Sequence, residues 1–202
     1  MRRILVLSPH IDDGILGAGG SIPYFIGRGD EIYYTLFSLS TQTIAPAVAT
    51  AEVTKAAHVL GIPVNNIKIY RYPTRDFPRQ RQGILENLVE MRGQVDIVLT
   101  PNTFDIHQDH ATVTREAMRA FKHTCILGYE LPWNNIDFEA AGFIQLEEPD
   151  VALKTSALEY FESQKDRPYM QGDLIRSLAR VRGAQMGWDY AESFEVIRWI
   201  VK

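Results

Sequence analysis

The sequence has little of what marks secreted, membrane or nucleic-acid-binding proteins. Its 202 residues contain one cysteine, Cys125, so no disulfide can form within the chain. No apolar run approaches the roughly 18 residues that a bilayer span requires, and the run after Arg3 is too short for a signal peptide. The net charge of −4 disfavours nucleic acid or an anionic membrane as a partner. We therefore expect a soluble, cytoplasmic protein.

Hydrophobic patterning predicts alternating strands and helices over most of the chain. Buried strands are predicted at 3–7, 31–39, 66–72, 96–101 and 125–131, with helices between them at 17–28, 47–60, 81–93 and 109–121. This alternation indicates one Rossmann-like α/β domain over residues 1–202, with a mostly parallel sheet flanked by helices on both faces. Two further strands, 142–147 and 194–201, and two helices, 151–164 and 173–185, are placed outside the parallel core.

Titratable side chains are concentrated directly after the first and fourth predicted strands. The two stretches read "SPHIDDGILGAGG" and "PNTFDIHQDHATV", and together they supply His10, Asp12, Asp13, His107, Asp109 and His110. Functional groups of open parallel sheets collect beyond the carboxyl ends of the strands, so we expect these six side chains at one edge. Two histidines and one carboxylate from this set could bind a catalytic zinc, with acid and base groups to spare. The same ligand set also suits iron(II).

Simpler roles exist for parts of these stretches. Asp12 or Asp13 could cap the helix that follows, and Asp109 could cap the helix near His110. The stretch "GILGAGG" lacks both G-x-G-x-x-G and the G-K-[ST] ending of a phosphate-binding loop. Its small residues are better explained by a helix that packs closely on the sheet.

At these two clusters the sequence resembles the PIG-L/LmbE-type de-N-acetylases. The family motif P-H-P-D-D-E corresponds here to residues 9–14, and its H-x-D-H motif is matched in full by residues 107–110. Two later segments, "KTSALEYFESQ" and "RGAQMGWDYAESFEVIR", are similar to family segments in the same order. The resemblance implies a zinc-dependent enzyme that removes the acetyl group from an N-acetylglucosamine-type amino sugar or its conjugate.

The resemblance also implies a role for each residue of the two motifs. Its zinc ligands are His10, Asp13 and His110. Asp12 is then the general base on the metal-bound water. His107 stabilises the oxyanion or protonates the leaving amine, and Asp109 orients it and keeps it largely protonated.

The first motif departs from the family at two positions. Ile11 replaces a proline, which changes loop stiffness alone. Gly14 replaces a glutamate, so a negative charge beside the metal loop is gone. None of the three implied ligands is affected, and we expect activity to survive with altered substrate fit or metal affinity.

Substrate recognition is assigned to rim loops at the same edge. Arg75, Trp133 and Asn134 suit sugar hydroxyls and a sugar face, and Asn135 and Arg71 lie nearby in sequence. Arg71 and Arg75 could accept a phosphate- or nucleotide-linked sugar. The alternative to an enzyme is a catalytically degenerate, Rossmann-like sugar- or nucleotide-binding module. Exposed apolar residues near the carboxyl terminus, such as Trp199, leave a homo-oligomer open.

Overall fold

The structure is a computed structural model that describes residues 1–201. It contains a seven-stranded sheet with helices on both faces. The strands are β1 (Arg3–Ser8), β2 (Glu31–Leu36), β3 (Ile67–Ile69), β4 (Ile97–Pro101), β5 (Cys125–Tyr129), β6 (Gly142–Leu146) and β7 (Tyr190–Arg198). The longer helices are α1 (Asp13–Ala18), α2 (Ser21–Gly27), α3 (Pro46–Val59), α4 (Phe77–Val89), α5 (Gln108–Ala120), α6 (Glu148–Leu158) and α7 (Gly172–Met186).

The sheet confirms the predicted α/β architecture. Its strand order is β3-β2-β1-β4-β5-β7-β6. The first five strands in this order are parallel, whereas β7 pairs antiparallel with both β5 and β6. The two carboxyl-terminal strands thus extend the sheet without joining its parallel core, as predicted.

Alternate residues of β1 enter the two halves of the hydrophobic core. Ile4 and Val6 pack with α1, α2, α3 and α6 on one face, while Leu5 and Leu7 pack with α4 and α5 on the other. All four side chains are fully buried. Burial on both faces explains why the strand reads as a continuous apolar run.

The main local difference from the sequence prediction lies in the glycine-rich stretch. A single helix was predicted over 17–28, but two short helices form, separated at Gly19 and Gly20. The amino terminus of α2 is held by the buried Glu192 of β7, which accepts hydrogen bonds from the backbone N–H groups of Gly20 and Ser21. Lys154 of α6 donates to the same carboxylate at 2.6 Å. A long-range capping partner of this kind has no signal in local sequence.

The small residues of this stretch have the predicted packing role. A Cβ on Gly17 would lie 2.1 Å from a ring carbon of Tyr129 in β5, so α1 lies against the sheet at a distance that only glycine permits. Among residues 1–201, no helix is both long and apolar enough to cross a membrane.

Candidate active site

The two motif loops meet because their strands are neighbours. β1 and β4 pair in register, with Ile4 opposite Ile97. Chain order reverses between these two strands, since β2 and β3 lie on one side and β5 on the other. Such a reversal opens a crevice beyond the carboxyl ends of the strands, which is where open α/β sheets bind ligands.

Three donor atoms from these loops form a nearly equilateral triangle. Asp13 Oδ2 lies 3.0 Å from His10 Nδ1 and 3.1 Å from His110 Nε2, and the two ring nitrogens are 3.2 Å apart. Donor atoms around a tetrahedral zinc, at bonds of about 2.0–2.1 Å, are separated by about 3.3–3.4 Å. Two histidines and one carboxylate at this spacing fit a divalent metal.

A carboxylate behind each imidazole fixes its orientation. Asp109 Oδ2 lies 3.0 Å from His10 Nε2, and Asp105 Oδ2 lies 2.7 Å from His110 Nδ1. In both rings the nitrogen opposite the triangle is engaged, which leaves the other nitrogen free to ligate. Asp105 was not singled out from the sequence, although it stands in the same "DIHQDH" stretch.

The expected pairing of Asp109 with the His107 side chain is wrong. The Asp109 carboxylate crosses to the first loop and accepts from His10, and it also accepts from the backbone N–H of Arg75 at 2.6 Å and of Phe77 at 3.3 Å. The reason is helix geometry. His107 is the residue before α5, and its Nδ1 accepts a hydrogen bond from the backbone N–H of Asp109. The helix cap is therefore a histidine, not an aspartate.

His107 is also not held protonated as the resemblance implied. Burial and the neighbouring imidazoles of His110 and His10 lower its pKa to about 4. Because Nδ1 accepts from Asp109, the neutral ring carries its proton on Nε2. Ring nitrogens of the three histidines lie within 4.8 Å of one another, a looser group than the triangle that includes Asp13.

The triangle atoms are electrostatically prepared for a cation. Burial opposes protonation of His10, but hydrogen bonds to Asp109 and Asp13 outweigh it and raise its pKa to about 9. Burial likewise opposes protonation of His110, yet the charge of Asp13 and the bond to Asp105 raise its pKa to about 10. Burial opposes ionisation of Asp13, but the adjacent imidazoles bring its pKa well below the ordinary value. A metal that binds here has to displace the protons from the ring nitrogens that ligate it.

Asp12 differs from Asp13 in having an unpaired carboxylate. It stands at the start of α1 but makes no side-chain capping bond, so the capping explanation fails for it. Burial and the charge of Asp13 raise the pKa of Asp12 to about 7. A buried carboxylate that titrates near neutrality is suited to proton transfer.

The structure explains the glycine at position 14. A Cβ there would lie 2.8 Å from Tyr34 Oη and 3.1 Å from Ser8 Cβ. Tyr34 is fully buried, and its hydroxyl has no hydrogen-bond partner among residues 1–201. Ser8 ties the first motif loop together, since its hydroxyl donates to the His10 carbonyl and accepts from the Gly14 N–H. Tyr34 thus fills space that a side chain at position 14 would need.

A cavity of about 350 Å³ opens over the triangle. Five other sequence-predicted residues also line it, in addition to the three triangle residues: Asp12, Arg75, His107, Trp133 and Asn134. Asp109 lies behind the imidazoles. Arg71 lines a separate depression against α3, so the expectation that it shares the rim of this cavity with Arg75 is wrong. Asn135 instead accepts a hydrogen bond from Asn102 at 2.8 Å.

Sequence reasoning missed the far wall of this cavity. It comprises Ser40, Gln42, Thr43, Thr74, Gln164, Arg167 and Tyr169. Tyr169 stacks on Trp133 with ring centroids 4.4 Å apart. These residues lie in loops and short turns, where no hydrophobic periodicity marks which side chains face inward.

An α/β sheet with a triangle of donor atoms that fits a divalent metal at its switch point defines a class of candidate metal-dependent enzymes. The particular family follows from sequence comparison. The profile described as GlcNAc-PI de-N-acetylase matches residues 5–121, and the chain belongs to this PIG-L family. The matched range includes both motif loops. No curated protein matches the chain significantly.

Solved structures share the fold over nearly the whole chain. The conserved protein TT1542 from Thermus thermophilus has a TM-score of 0.83 at 22% identity, covering 100% of this chain and 97% of its own. The N,N'-diacetylchitobiose deacetylase from Pyrococcus horikoshii has a TM-score of 0.80 at 20% identity, covering 97% and 84%. GalB, the 4-carboxy-2-hydroxymuconate hydratase from Pseudomonas putida KT2440, has a TM-score of 0.76 at 17% identity, covering 100% and 98%. A deacetylase and a hydratase on one fold show that the fold alone does not determine the reaction.

Proposed function

We propose that this protein is a zinc-dependent hydrolase that removes the N-acetyl group from an N-acetylglucosamine-type amino sugar or its conjugate. The observation that carries the proposal is the triangle of His10, Asp13 and His110 with the unpaired carboxylate of Asp12 in the same cavity. Membership in the PIG-L family supports N-deacetylation as the reaction class. The name of the Pyrococcus horikoshii neighbour agrees with an acetylated amino sugar as substrate.

The metal would be held by His10 Nδ1, Asp13 Oδ2 and His110 Nε2. When bound, zinc supplies Lewis acidity to an acetamide carbonyl and to water. Iron(II) suits the same donor set, so the ligands alone do not choose between the two metals. Asp105 and Asp109 hold the ligating rings in place.

Two further side chains carry the proton transfers and charge stabilisation. Asp12 takes a proton from the attacking water and passes it to the departing amine. This role requires a carboxylate that neither caps a helix nor forms an ion pair. His107 donates its Nε2 hydrogen to the developing oxyanion as a neutral ring. This assignment favours oxyanion stabilisation over proton delivery by His107, because its pKa of about 4 leaves no second proton at neutral pH.

The test combines metal analysis with acetate release. Protein purified without chelators and supplied with zinc should bind one metal ion per chain and release acetate from a panel of acetylated amino sugars. Asp12→Asn should keep the metal and lose turnover by at least about a hundredfold. His110→Ala should lose metal affinity. His58→Ala is the matched control, because His58 is an exposed residue of α3, and it should change neither quantity.

Two results would contradict the proposal. Failure to bind zinc or iron(II) would remove the metal centre. Full metal occupancy with no acetate from any acetylated amino sugar would instead favour the degenerate binding module, in which Asp12→Asn leaves ligand affinity unchanged.

A further inference from the structure

The segment "KTSALEYFESQ", residues 154–164, connects the fold to the candidate active-site cavity. Its first residue, Lys154, forms the buried pair with Glu192 that holds the start of α2. Its last two residues, Ser163 and Gln164, belong to the short turn Glu162–Gln164. Gln164 lines the cavity. The amino end of this segment therefore supports the fold, whereas its carboxyl end contributes to the cavity wall.

Ser163 is tied to a buried carboxylate on another helix. Glu52 of α3 is 6% exposed, and its two carboxylate oxygens accept hydrogen bonds from the backbone N–H of Ser163 at 2.9 Å and from its hydroxyl at 2.6 Å. A carboxylate that leaves water needs such donors, because burial without replacement hydrogen bonds is costly. The turn is thus held to α3 across 111 positions of the sequence.

The chemistry of these groups fixes the direction of each hydrogen bond. An ionised carboxylate only accepts, so the single hydroxyl proton of Ser163 goes to Glu52. Ser163 Oγ can then only accept from its other neighbour, the Gln164 side chain, whose Nε2 lies 3.2 Å away. The nitrogen of the Gln164 amide, not its oxygen, must therefore face Ser163. This relay leaves Oε1 and the second Nε2 hydrogen of Gln164 for a ligand in the cavity.

The far wall, to which Gln164 belongs, is mostly polar and neutral. Five of its seven residues carry an aliphatic hydroxyl or an amide: Ser40, Gln42, Thr43, Thr74 and Gln164. Such groups both donate and accept, as sugar hydroxyls do. The Gln164 amide is oriented by the relay before a ligand arrives, so less side-chain freedom is lost on binding. Gln164 is therefore prepared to recognise a neutral hydroxyl.

We propose that Gln164 binds a hydroxyl group of the amino sugar, and that Glu52 is the residue that positions Gln164 through Ser163. This inference rests on the proposed function, because it places the acetamido group of the sugar over the triangle. Oε1 of Gln164 accepts from the sugar hydroxyl while Nε2 is held by Ser163. Without the carboxylate of Glu52, the Ser163 hydroxyl is free to donate to Gln164 instead, and the amide loses its single orientation.

Calorimetry of the protein supplied with zinc measures this contact without turnover. The ligands are methyl glucosaminide and its 3-deoxy, 4-deoxy and 6-deoxy analogues, none of which carries an acetyl group. One deoxy analogue should bind the unmodified protein about two- to tenfold more weakly than the parent glycoside, as expected for one lost hydrogen bond. Gln164→Ala should bind the parent and that analogue with equal affinity. Gln82→Ala is the matched control, because Gln82 bonds with Glu86 on the exposed face of α4, and it should retain the difference.

Variants of the relay test the positioning role of Glu52. Glu52→Gln and Ser163→Ala should both reduce the difference in affinity between the parent glycoside and that analogue, whereas Ser163→Thr, which keeps the hydroxyl, should retain it. Glu159→Gln is the matched control, because Glu159 is an exposed carboxylate in the same surface depression as Glu52. A purely structural role of Glu52 would lower the Tm and weaken all four ligands alike, so their affinity ratios would not change.

Several results would overturn the inference. They are the absence of binding, equal affinity of the unmodified protein for the parent and every deoxy analogue, and a difference that Gln164→Ala retains. A difference that Gln164→Ala abolishes but Glu52→Gln retains would overturn the positioning role of Glu52. Acetate release without discrimination between the hydroxyls contradicts this inference alone. Discrimination between the hydroxyls without acetate release contradicts only the proposed reaction.

Discussion

Substitution of Gly14 by alanine tests whether Tyr34 excludes a side chain from the first motif loop. The added Cβ would meet Tyr34 Oη at 2.8 Å, Tyr34 Cε2 at 3.0 Å and Ser8 Cβ at 3.1 Å. Tyr34 is fully buried and cannot move into solvent. Overpacking of this kind costs about 1–3 kcal/mol, against which alanine recovers about 0.5–1 kcal/mol of helix propensity. We expect a net loss of about 1–2 kcal/mol.

The expected loss corresponds to a fall in Tm of about 2–8 °C for a chain of this size. Thermal unfolding followed by circular dichroism measures it. Gly27→Ala is the control, because Gly27 also lies in a short helix and its Cβ would meet nothing within 4 Å. That variant should be neutral or slightly stabilised. Metal affinity of Gly14→Ala should fall as well, since Gly14 directly follows Asp13, the proposed metal ligand.

A double variant separates the steric contact from other effects. Tyr34→Phe alone should be nearly neutral, because the hydroxyl it removes has no partner within residues 1–201. Combined with Gly14→Ala, it should recover at least about 0.5 kcal/mol relative to additivity. If Gly14→Ala unfolds at the same temperature as the unmodified protein, or if the two substitutions are additive, the steric reasoning is refuted.

Two further predictions concern the carboxylates and imidazoles of the site. Asp109→Asn should weaken zinc binding about 10- to 100-fold in chelator competition, because His10 loses the acceptor that orients it. The control Asp76→Asn, in the loop before α4, should leave zinc binding unchanged. Equal zinc affinities of the unmodified protein and both variants would contradict this role of Asp109. The metal-free protein should lose roughly a few kcal/mol of stability at high pH. The folded-state pKa values of His10 and His110, about 9 and about 10, exceed the unfolded value, so the stabilisation is complete below about pH 6.5 and is lost as pH rises through 9 to 10. Denaturant titrations across this pH range measure the free energy of unfolding, and the zinc-loaded protein should not lose stability in this way. If the free energy of unfolding of the metal-free protein is constant from pH 6.5 to 10, the pKa values of the two imidazoles are not raised.

The sequence by itself determined the mostly parallel sheet, the alternation of strands and helices along the chain and the two loops that form the candidate site. Continuous apolar runs such as residues 3–7 need no tertiary information, because a strand buried on both faces has no polar alternation. The two motif loops could be located in the same way, because each lies directly after one of these apolar runs. Helix boundaries were harder to predict from the sequence, because the break at Gly19 and Gly20 depends on Glu192, a residue about 170 positions away.

Tertiary structure alone decided which groups pair. Asp109 stands two residues from His107 in sequence, but the start of α5 directs its carboxylate to His10, about a hundred residues earlier. Gly14 departs from the family motif because Tyr34, on the neighbouring strand β2, fills the space that a side chain at position 14 would need. Arg167 and Tyr169 reach the cavity from an irregular segment after α6. Periodicity reports which face of an element is buried, whereas the partners of a polar side chain depend on which elements the fold brings together.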